Sequence, residues 1–118
     1  MKKTILCVDD EADILELLVD ELEDEGFSTL QALGFKEALH LFSTHQVDCV
    51  ISDIKMPDGS GVELAKEIIK TKKIPVYLIT GFSDYSVDEL KEIGVTSLFM
   101  KPFDFSDVVS NIKSSLEA

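Results

Sequence analysis

Thr4-Ile5-Leu6-Cys7-Val8-Asp9-Asp10 is an apolar, strand-forming run that stops abruptly at two carboxylates. Cys49-Val50-Ile51-Ser52-Asp53 repeats this arrangement in the middle of the chain. Short continuous apolar runs of this kind are typical of parallel strands that are buried on both faces. If the two runs are neighbouring parallel strands, their carboxyl ends place three carboxylates in one small concavity.

Three carboxylates that lie so close together repel one another. At about 4 Å and an effective dielectric constant of about 20, each pair costs about 4 kcal/mol. Such a cluster persists only if a cation fills it or a proton is taken up. Ligands that are all oxygen atoms suit Mg²⁺ or Mn²⁺ better than zinc. The sequence therefore predicts that Asp9, Asp10 and Asp53 form a site for a hard divalent metal.

Length, composition and charge predict one globular domain over residues 1–118. The chain has 23 acidic and 11 basic residues, and its net charge of −12 would be repelled by nucleic acids and by anionic lipid surfaces. We therefore expect no direct nucleic-acid binding. No apolar run approaches the roughly 20 residues that span a bilayer, and no signal-peptide pattern precedes the first strand, so we expect no membrane insertion and a cytoplasmic location. Cys7 and Cys49 are expected to be buried thiols.

Strand and helix periodicities alternate along the chain. We predict five strands, at residues 4–8, 27–32, 48–52, 76–79 and 97–100. Each is followed by an apolar stripe at helical spacing, and Gly26 and Gly94 are predicted to end the first and fourth helices. Residues 54–60, which contain Pro57 and Gly59, are predicted to be a loop. Five strand–helix units favour an α/β fold with a doubly wound parallel sheet.

In such folds, ligands bind at the carboxyl ends of the strands, near the point where the strand order reverses. The predicted strand ends carry Asp9-Asp10, Asp53, Thr80-Gly81 and Lys101-Pro102. A carboxylate beside a bound metal can attack phosphorus and form an aspartyl-phosphate. Phosphoryl transfer then needs mainly positioning and neutralisation of charge on the phosphoryl oxygens. The metal, the Lys101 ammonium and the Thr80 hydroxyl would neutralise that charge from different directions.

These motifs resemble, in their order and position, the receiver domain of two-component response regulators of the single-domain chemotaxis-regulator type. The resemblance covers essentially the whole chain and rests on Asp9-Asp10, residues 51–59 around Asp53, Thr80-Gly81 and Lys101-Pro102-Phe103. It implies a flavodoxin-like (βα)5 fold with strand order 2-1-3-4-5. It also implies a signalling function and not ordinary enzymatic turnover, since a receiver is a phosphoacceptor that assists its own phosphorylation and dephosphorylation.

The resemblance also implies roles for the metal-binding residues and a source for the phosphoryl group. Asp53 would accept the phosphoryl group from the phosphohistidine of a sensor histidine kinase or of a histidine phosphotransfer protein. Asp10 and Asp53 would bind Mg²⁺ directly, Asp9 would act mainly through water, and the Lys55 backbone carbonyl would complete the shell.

Residues on the other side of the implied site would contact the phosphoryl oxygens. Thr80 and Lys101 take this role, and a cis peptide bond before Pro102 would aim the Lys101 ammonium at the site. The surface around helix four, strand five and helix five would then select an output protein whose identity the sequence does not reveal. The resemblance is also compatible with phosphorylation-dependent dimerisation.

The chain departs from the family pattern at Leu98. The family usually has Phe or Tyr at this position, and that aromatic side chain turns inward when the threonine corresponding to Thr80 moves toward the phosphoryl group. The neighbouring Phe99 is expected to face the opposite side of the sheet, because side chains alternate along a strand. The usual threonine–aromatic relay is therefore not expected in this chain.

Two further departures affect the surroundings of the site. Lys55 and Phe82 occupy the positions that flank the route of the hydrolytic water in the family, and we hypothesise that they shield the phosphoryl group and slow its loss. The segment between Thr80 and Gly94 is about one residue short, which predicts an irregular fourth helix.

An alternative from another class is a small metal-dependent phosphatase or phosphotransferase that acts through an aspartyl-phosphate. Such enzymes carry a second acid two residues after the nucleophile, where this chain has Lys55, and no substrate-enclosing insertion is evident. His40 and His45 are expected at the surface. Phe103 and Phe105 are expected to pack under the last helix, and a partner surface is the less favoured alternative.

Overall fold

The computed structural model describes residues 2–81, 85–101 and 103–117. These residues form seven strands and five helices. The strands are β1 (Thr4–Val8), β2 (Ser28–Ala32), β3 (Cys49–Asp53), β4 (Lys55–Met56), β5 (Gly59–Ser60), β6 (Val76–Thr80) and β7 (Ser97–Met100). The helices are α1 (Ala12–Asp24), α2 (Phe35–Thr44), α3 (Gly61–Thr71), α4 (Val87–Ile93) and α5 (Phe105–Glu117). The strands β3, β4 and β5 follow one another without an intervening helix.

Five strands form one parallel sheet in the order β2-β1-β3-β6-β7. This is the predicted order 2-1-3-4-5 once the short strands β4 and β5 are set aside, so the predicted flavodoxin-like class is confirmed. In the register of the sheet, Val8 lies opposite Ser52, and Asp53 lies opposite Ile79. The carboxyl ends of the three central strands therefore meet at one edge.

Alternation along the strands divides the core into two clusters, one on each face of the sheet. On one face, Leu6, Val8, Val50 and Leu78 pack beneath α2, α3 and α4. On the other face, Ile5, Cys7, Ile51 and Tyr77 pack beneath α1 and α5. Both faces are covered, which explains why the strands read as continuous apolar runs. Phe103 and Phe105 join the α1–α5 cluster, as predicted.

Several local details differ from the prediction. The second strand begins at Ser28 and not at Phe27, and the third runs from Cys49 through Asp53, so that Asp53 is the last residue of its strand. The predicted loop at 54–60 contains a small antiparallel hairpin formed by β4 and β5. Residues 87–93 are α-helical throughout and begin with a capping box formed by Ser86 and Glu89, so the expected irregularity is not found within α4.

Other local predictions are confirmed. Gly26 and Gly94 both have positive φ, 94° and 112°, which is the conformation expected just after a helix. Cys7 and Cys49 are buried free thiols whose pKa values are raised by burial. His40 and His45 are exposed.

The β4–β5 hairpin is fastened to α2 by Asp58. Its Oδ1 accepts a hydrogen bond from the Phe35 N–H at 2.8 Å, and its Oδ2 accepts one from the Lys36 N–H at 3.1 Å. Both N–H groups belong to the first turn of α2, where no helical carbonyl is available to accept them. The two hydrogen bonds hold the pKa of the Asp58 carboxyl below its usual range. Asp58 is thus an N-terminal cap supplied from a distant part of the chain.

We expect Asp58→Ala to lower the urea midpoint of unfolding and Asp58→Asn to lower it less, because an amide oxygen still accepts one of the two hydrogen bonds. The folded-state pKa is depressed, so this stabilisation is present above the ordinary carboxyl pKa of about 4 and is lost as the pH falls through the folded-state value. Urea titrations across this pH range measure the effect. A stability difference between the wild type and Asp58→Ala that stays constant down to the most acidic pH would contradict this role.

Candidate phosphoacceptor site

Three acidic side chains meet at the carboxyl edge of the sheet, as predicted. Asp9 follows β1 and Asp53 ends β3, and both are almost fully buried, whereas Asp10 is exposed. One carboxylate oxygen from each of the three residues lies within 4.8 Å of the others. We call this group the acidic pocket. Its exposed member leaves the pocket open to solvent, so that water can reach a bound ion.

Asp9 is oriented by the chain that follows it. Its Oδ1 accepts a hydrogen bond from the Glu11 N–H at 2.8 Å, just before α1 begins. Burial raises the pKa of the Asp9 carboxyl to about 6, against the opposing effect of this hydrogen bond. The charged form of Asp9 is therefore only partly compensated by the protein.

Lys101 reaches into the acidic pocket from the end of β7. Its Nζ donates a hydrogen bond to Asp53 Oδ2 at 3.2 Å, and it lies 3.4 Å from Glu11 Oε1 and 3.8 Å from Asp9 Oδ2. Its backbone N–H donates to the Thr80 carbonyl at 2.7 Å, which fixes it beside β6. Partial burial opposes the ammonium charge, but the three carboxylates outweigh this and raise the pKa of Lys101. Lys101 is therefore a fixed positive charge at the pocket.

The acidic pocket meets the requirements of a hard divalent cation. Among the described residues, Asp9 Oδ2 is buried and accepts no hydrogen bond, and Lys101 lies beyond hydrogen-bond distance of it. A buried carboxylate oxygen in that state is stabilised by a cation. The donor set is composed of oxygen atoms and is partly open to water, as Mg²⁺ prefers. The residues present therefore fit the predicted metal.

The remaining predicted residues lie around the acidic pocket. Thr80 ends β6 and is almost fully buried, and Lys55 is exposed at the start of β4. A Cβ atom on Gly81 would meet no described atom within 4 Å. Phe82 and the peptide bond before Pro102 lie outside the described residues.

Leu98 and Phe99 face opposite sides of the sheet, as predicted. Leu98 packs against the cluster beneath α2, α3 and α4. Phe99 joins the other cluster and stacks on Tyr77, with ring centroids 5.8 Å apart and an interplanar angle of 24°. Phe99 is thus held on the far side of the sheet and cannot take the place of an aromatic residue at position 98.

Sequence reasoning missed three residues that shape the site. Glu11 pairs with Lys101, and its position beside Asp9-Asp10 could have suggested this. Gly61 lies so close to β3 that a Cβ atom there would collide with the Asp53 backbone oxygen, which only the folded structure reveals. Tyr85 lines a cavity that also includes Thr80, and no motif marks it.

A doubly wound sheet that carries an acidic pocket, a lysine and a threonine at its carboxyl edge defines a phosphoryl-accepting domain of the α/β class. Residues 5–113 match the family model described as the response regulator receiver domain. The chain belongs to this family, and its function is that of a receiver in two-component signal transduction.

Three similar proteins support this assignment. Sporulation initiation phosphotransferase F from Bacillus subtilis is 32% identical over 98% of this chain and 95% of its own length. The probable transcriptional regulator ycf27 from Cyanidium caldarium is 34% identical over 95% of this chain, but the chain spans only 45% of that protein. The response regulator TrrA from Thermotoga maritima, solved in complex with Mg²⁺-BeF, is 39% identical with a TM-score of 0.87, covering 97% of this chain and 99% of that one.

Family membership bears on several expectations from the sequence. Receiver domains act mainly as phosphoacceptors and interact with histidine kinases or with phosphotransfer proteins. They bind Mg²⁺ at an acidic pocket, which in this chain is formed by Asp9, Asp10 and Asp53. The alternative of a small phosphatase is not favoured. In the part of the chain that the structure describes, no helix is long and apolar enough to cross a bilayer.

Proposed function

We propose that Asp53 is the phosphoacceptor of this receiver. The observation that carries the proposal is the 3.2 Å hydrogen bond from Lys101 Nζ to Asp53 Oδ2, which aligns a carboxylate and a fixed cation inside the acidic pocket. A carboxylate oxygen of Asp53 forms a bond to phosphorus while the phosphorus–nitrogen bond of a phosphohistidine breaks, and the imidazole leaves. Asp53 is the last residue of a central strand, so its backbone is held by its neighbours while its side chain meets the donor.

The remaining site residues divide between the metal and the phosphoryl group. Asp10 and Asp53 would bind Mg²⁺ directly, Asp9 would act through water, and the Lys55 carbonyl would complete the shell; Mn²⁺ is expected to substitute. The ion, when bound, supplies positive charge against the phosphoryl oxygens.

The chain's own residues supply the rest of the chemistry. The Lys101 ammonium and the Thr80 hydroxyl contact the phosphoryl oxygens, so the chain assists its own phosphorylation and dephosphorylation. The exposed side chain of Lys55, together with Phe82, shields the phosphoryl group from water and slows its loss.

The output of this receiver is proposed to be a change in protein binding. The surface around α4, β7 and α5 selects an output protein, or a second copy of the chain once Asp53 is phosphorylated. Exposed Val87 and Met100 on α4 and β7 support this, since large exposed apolar side chains suit a partner surface.

We also propose the boundaries of the receiver domain, its phosphodonor and its cellular location. Residues 1–118 act as one receiver domain whose phosphodonor is a sensor histidine kinase or a histidine phosphotransfer protein. Its location is cytoplasmic, which agrees with two buried thiols that are not joined in a disulfide. The charge of −12 disfavours direct contact with nucleic acid.

Incubation with Mg²⁺ and acetyl phosphate tests the proposal. Intact-mass measurement should show a single added phosphoryl group, stable in acid and labile in base, as an acyl phosphate is. Chelation of the metal before the donor is added should prevent the adduct, and Mn²⁺ should restore it. Repeated turnover of an unrelated phosphoester such as p-nitrophenyl phosphate, without a stable adduct, would instead support the small phosphatase.

A further inference from the structure

A cavity of about 240 Å³ lies between the β4–β5 hairpin and the end of β6. Its lining combines residues of the proposed site with residues that lead away from it: Ile54, Lys55, Met56, Gly59, Ser60, Thr80 and Tyr85. Ile54 directly follows Asp53, and its N–H donates to the Ile79 carbonyl of β6 at 2.9 Å, so the cavity wall is tied to both strand ends of the site. The cavity therefore adjoins the phosphoacceptor site.

Among the residues that the structure describes, Tyr85 is the one aromatic side chain in this lining. It is half-buried and packs against the same core cluster as Leu98 and Met56. An apolar cavity of about 150 Å³ is sufficient to hold a benzene ring. The cavity beside Tyr85 is larger than that, so its ring has room to move inward.

A movement of Tyr85 would act directly on α4, because Tyr85 lies just before the N-cap of this helix. The next residue, Ser86, is the N-cap of α4, and its hydroxyl accepts a hydrogen bond from the Glu89 N–H at 3.1 Å. The Ser86 N–H in turn donates a hydrogen bond to Glu89 Oε1 at 3.3 Å, which completes the capping box. A shift of the Tyr85 backbone therefore alters the first turn of a helix of only seven residues.

We infer that Tyr85 is the aromatic residue that couples the phosphoacceptor site to α4 in this chain. When the Thr80 hydroxyl turns toward a phosphoryl oxygen, it leaves space at the cavity wall, and the Tyr85 ring moves inward to fill it. Removal of the apolar ring surface from water favours this movement. Leu98 remains part of the core packing. The inference rests on the proposed function, because it requires a phosphoryl group on Asp53.

Fluorine NMR can observe this movement directly, because the chain contains only two tyrosines, Tyr77 and Tyr85. The chain is labelled with 3-fluorotyrosine, and Tyr85→Phe assigns the two resonances. Mg²⁺ and beryllium fluoride are then added as a phosphoryl mimic, whose bound fluorides appear in the same spectrum. We expect the Tyr85 resonance to shift and to become less accessible to solvent. The Tyr77 resonance should change little, since its ring is buried against Phe99 on the other face of the sheet.

Hydrogen exchange of the α4 amides supplies a second readout. Beryllium fluoride should change the exchange of α4 in the wild type and in Tyr85→Phe, which keeps the ring, but not in Tyr85→Ala. Leu98→Ala serves as the matched control and should retain the change. Bound fluoride with an unmoved Tyr85 resonance, or a response that is lost in Leu98→Ala and kept in Tyr85→Ala, would overturn the inference alone. If no fluoride resonance of a bound species appears in Mg²⁺, the proposed function fails and the inference fails with it.

Discussion

Asp53→Asn should reduce covalent phosphorylation of the chain to background. The side-chain amide is close in shape to the carboxylate but has no anionic oxygen to attack phosphorus. The substitution also removes one of the three carboxylates of the acidic pocket, which is the partner of Lys101 Nζ. Mg²⁺ binding should therefore weaken as well. The measurement is the intact mass of the chain after incubation with acetyl phosphate and Mg²⁺, followed by a separate titration of the metal.

Asp13→Asn is a suitable control for this experiment. Asp13 is an exposed acid in the first turn of α1, close in sequence to the acidic pocket but not part of it. This variant has the same change of charge and should keep the phosphoryl adduct. Because Asp9 and Asp10 are also near the metal, an adduct that survives in Asp53→Asn would assign the acceptor to another residue and refute the role of Asp53.

Lys101→Met should move two measured quantities in opposite directions. The ammonium pairs with Asp53, Asp9 and Glu11 and neutralises charge where the phosphoryl oxygens are expected. Loss of one such preorganised group typically slows the chemical step about 10²- to 10³-fold, and we expect phosphorylation by acetyl phosphate to slow by about 10²-fold. The same ammonium repels any cation that enters the pocket. Its removal should therefore tighten Mg²⁺ binding by about tenfold, which corresponds to about 1.4 kcal/mol.

Two variants control for the charge and for the position of Lys101. Lys101→Arg keeps the positive charge, so its Mg²⁺ affinity should stay near that of the wild type while its phosphorylation rate is intermediate. Lys113→Met removes an exposed ammonium that pairs with Glu25 at 2.8 Å, and it should change neither quantity. A weaker affinity for Mg²⁺ in Lys101→Met would show that the ammonium supports the metal site and does not compete with the ion.

Much of the fold and of the candidate site could be predicted because both depend on short patterns. The apolar runs at 4–8 and 49–52 are continuous because helices cover both faces of the sheet. The carboxyl ends of parallel strands share one edge, so residues at strand ends are neighbours wherever they lie in the chain. This rule alone brought Asp9, Asp10, Asp53 and Lys101 together, and the structure places them within reach of one another.

The alternation of side chains along a strand also predicted correctly on which face of the sheet Leu98 and Phe99 lie. The period of two residues put these side chains on opposite faces, and the structure has them in separate core clusters. Strand boundaries were less accurate. Phe27 is apolar and strand-forming, but its N–H donates to the Leu22 carbonyl at 3.2 Å and belongs to the end of α1. The hydrogen bond at the end of the helix therefore outweighs the strand-forming preference of Phe27, and β2 begins one residue later.

The amino-acid sequence by itself determined the order of the elements, the two-faced core and the chemistry of the acidic pocket, because local periodicity and strand ends encode all three. Only the tertiary structure decided which distant groups support that pocket. Asp58 caps a helix that begins more than 20 residues earlier in the chain, Glu11 pairs with a lysine 90 residues away, and Tyr85 shares a cavity with Thr80. No short pattern records such pairs, because each depends on how closely two separately folded segments approach when the sheet and its helices pack.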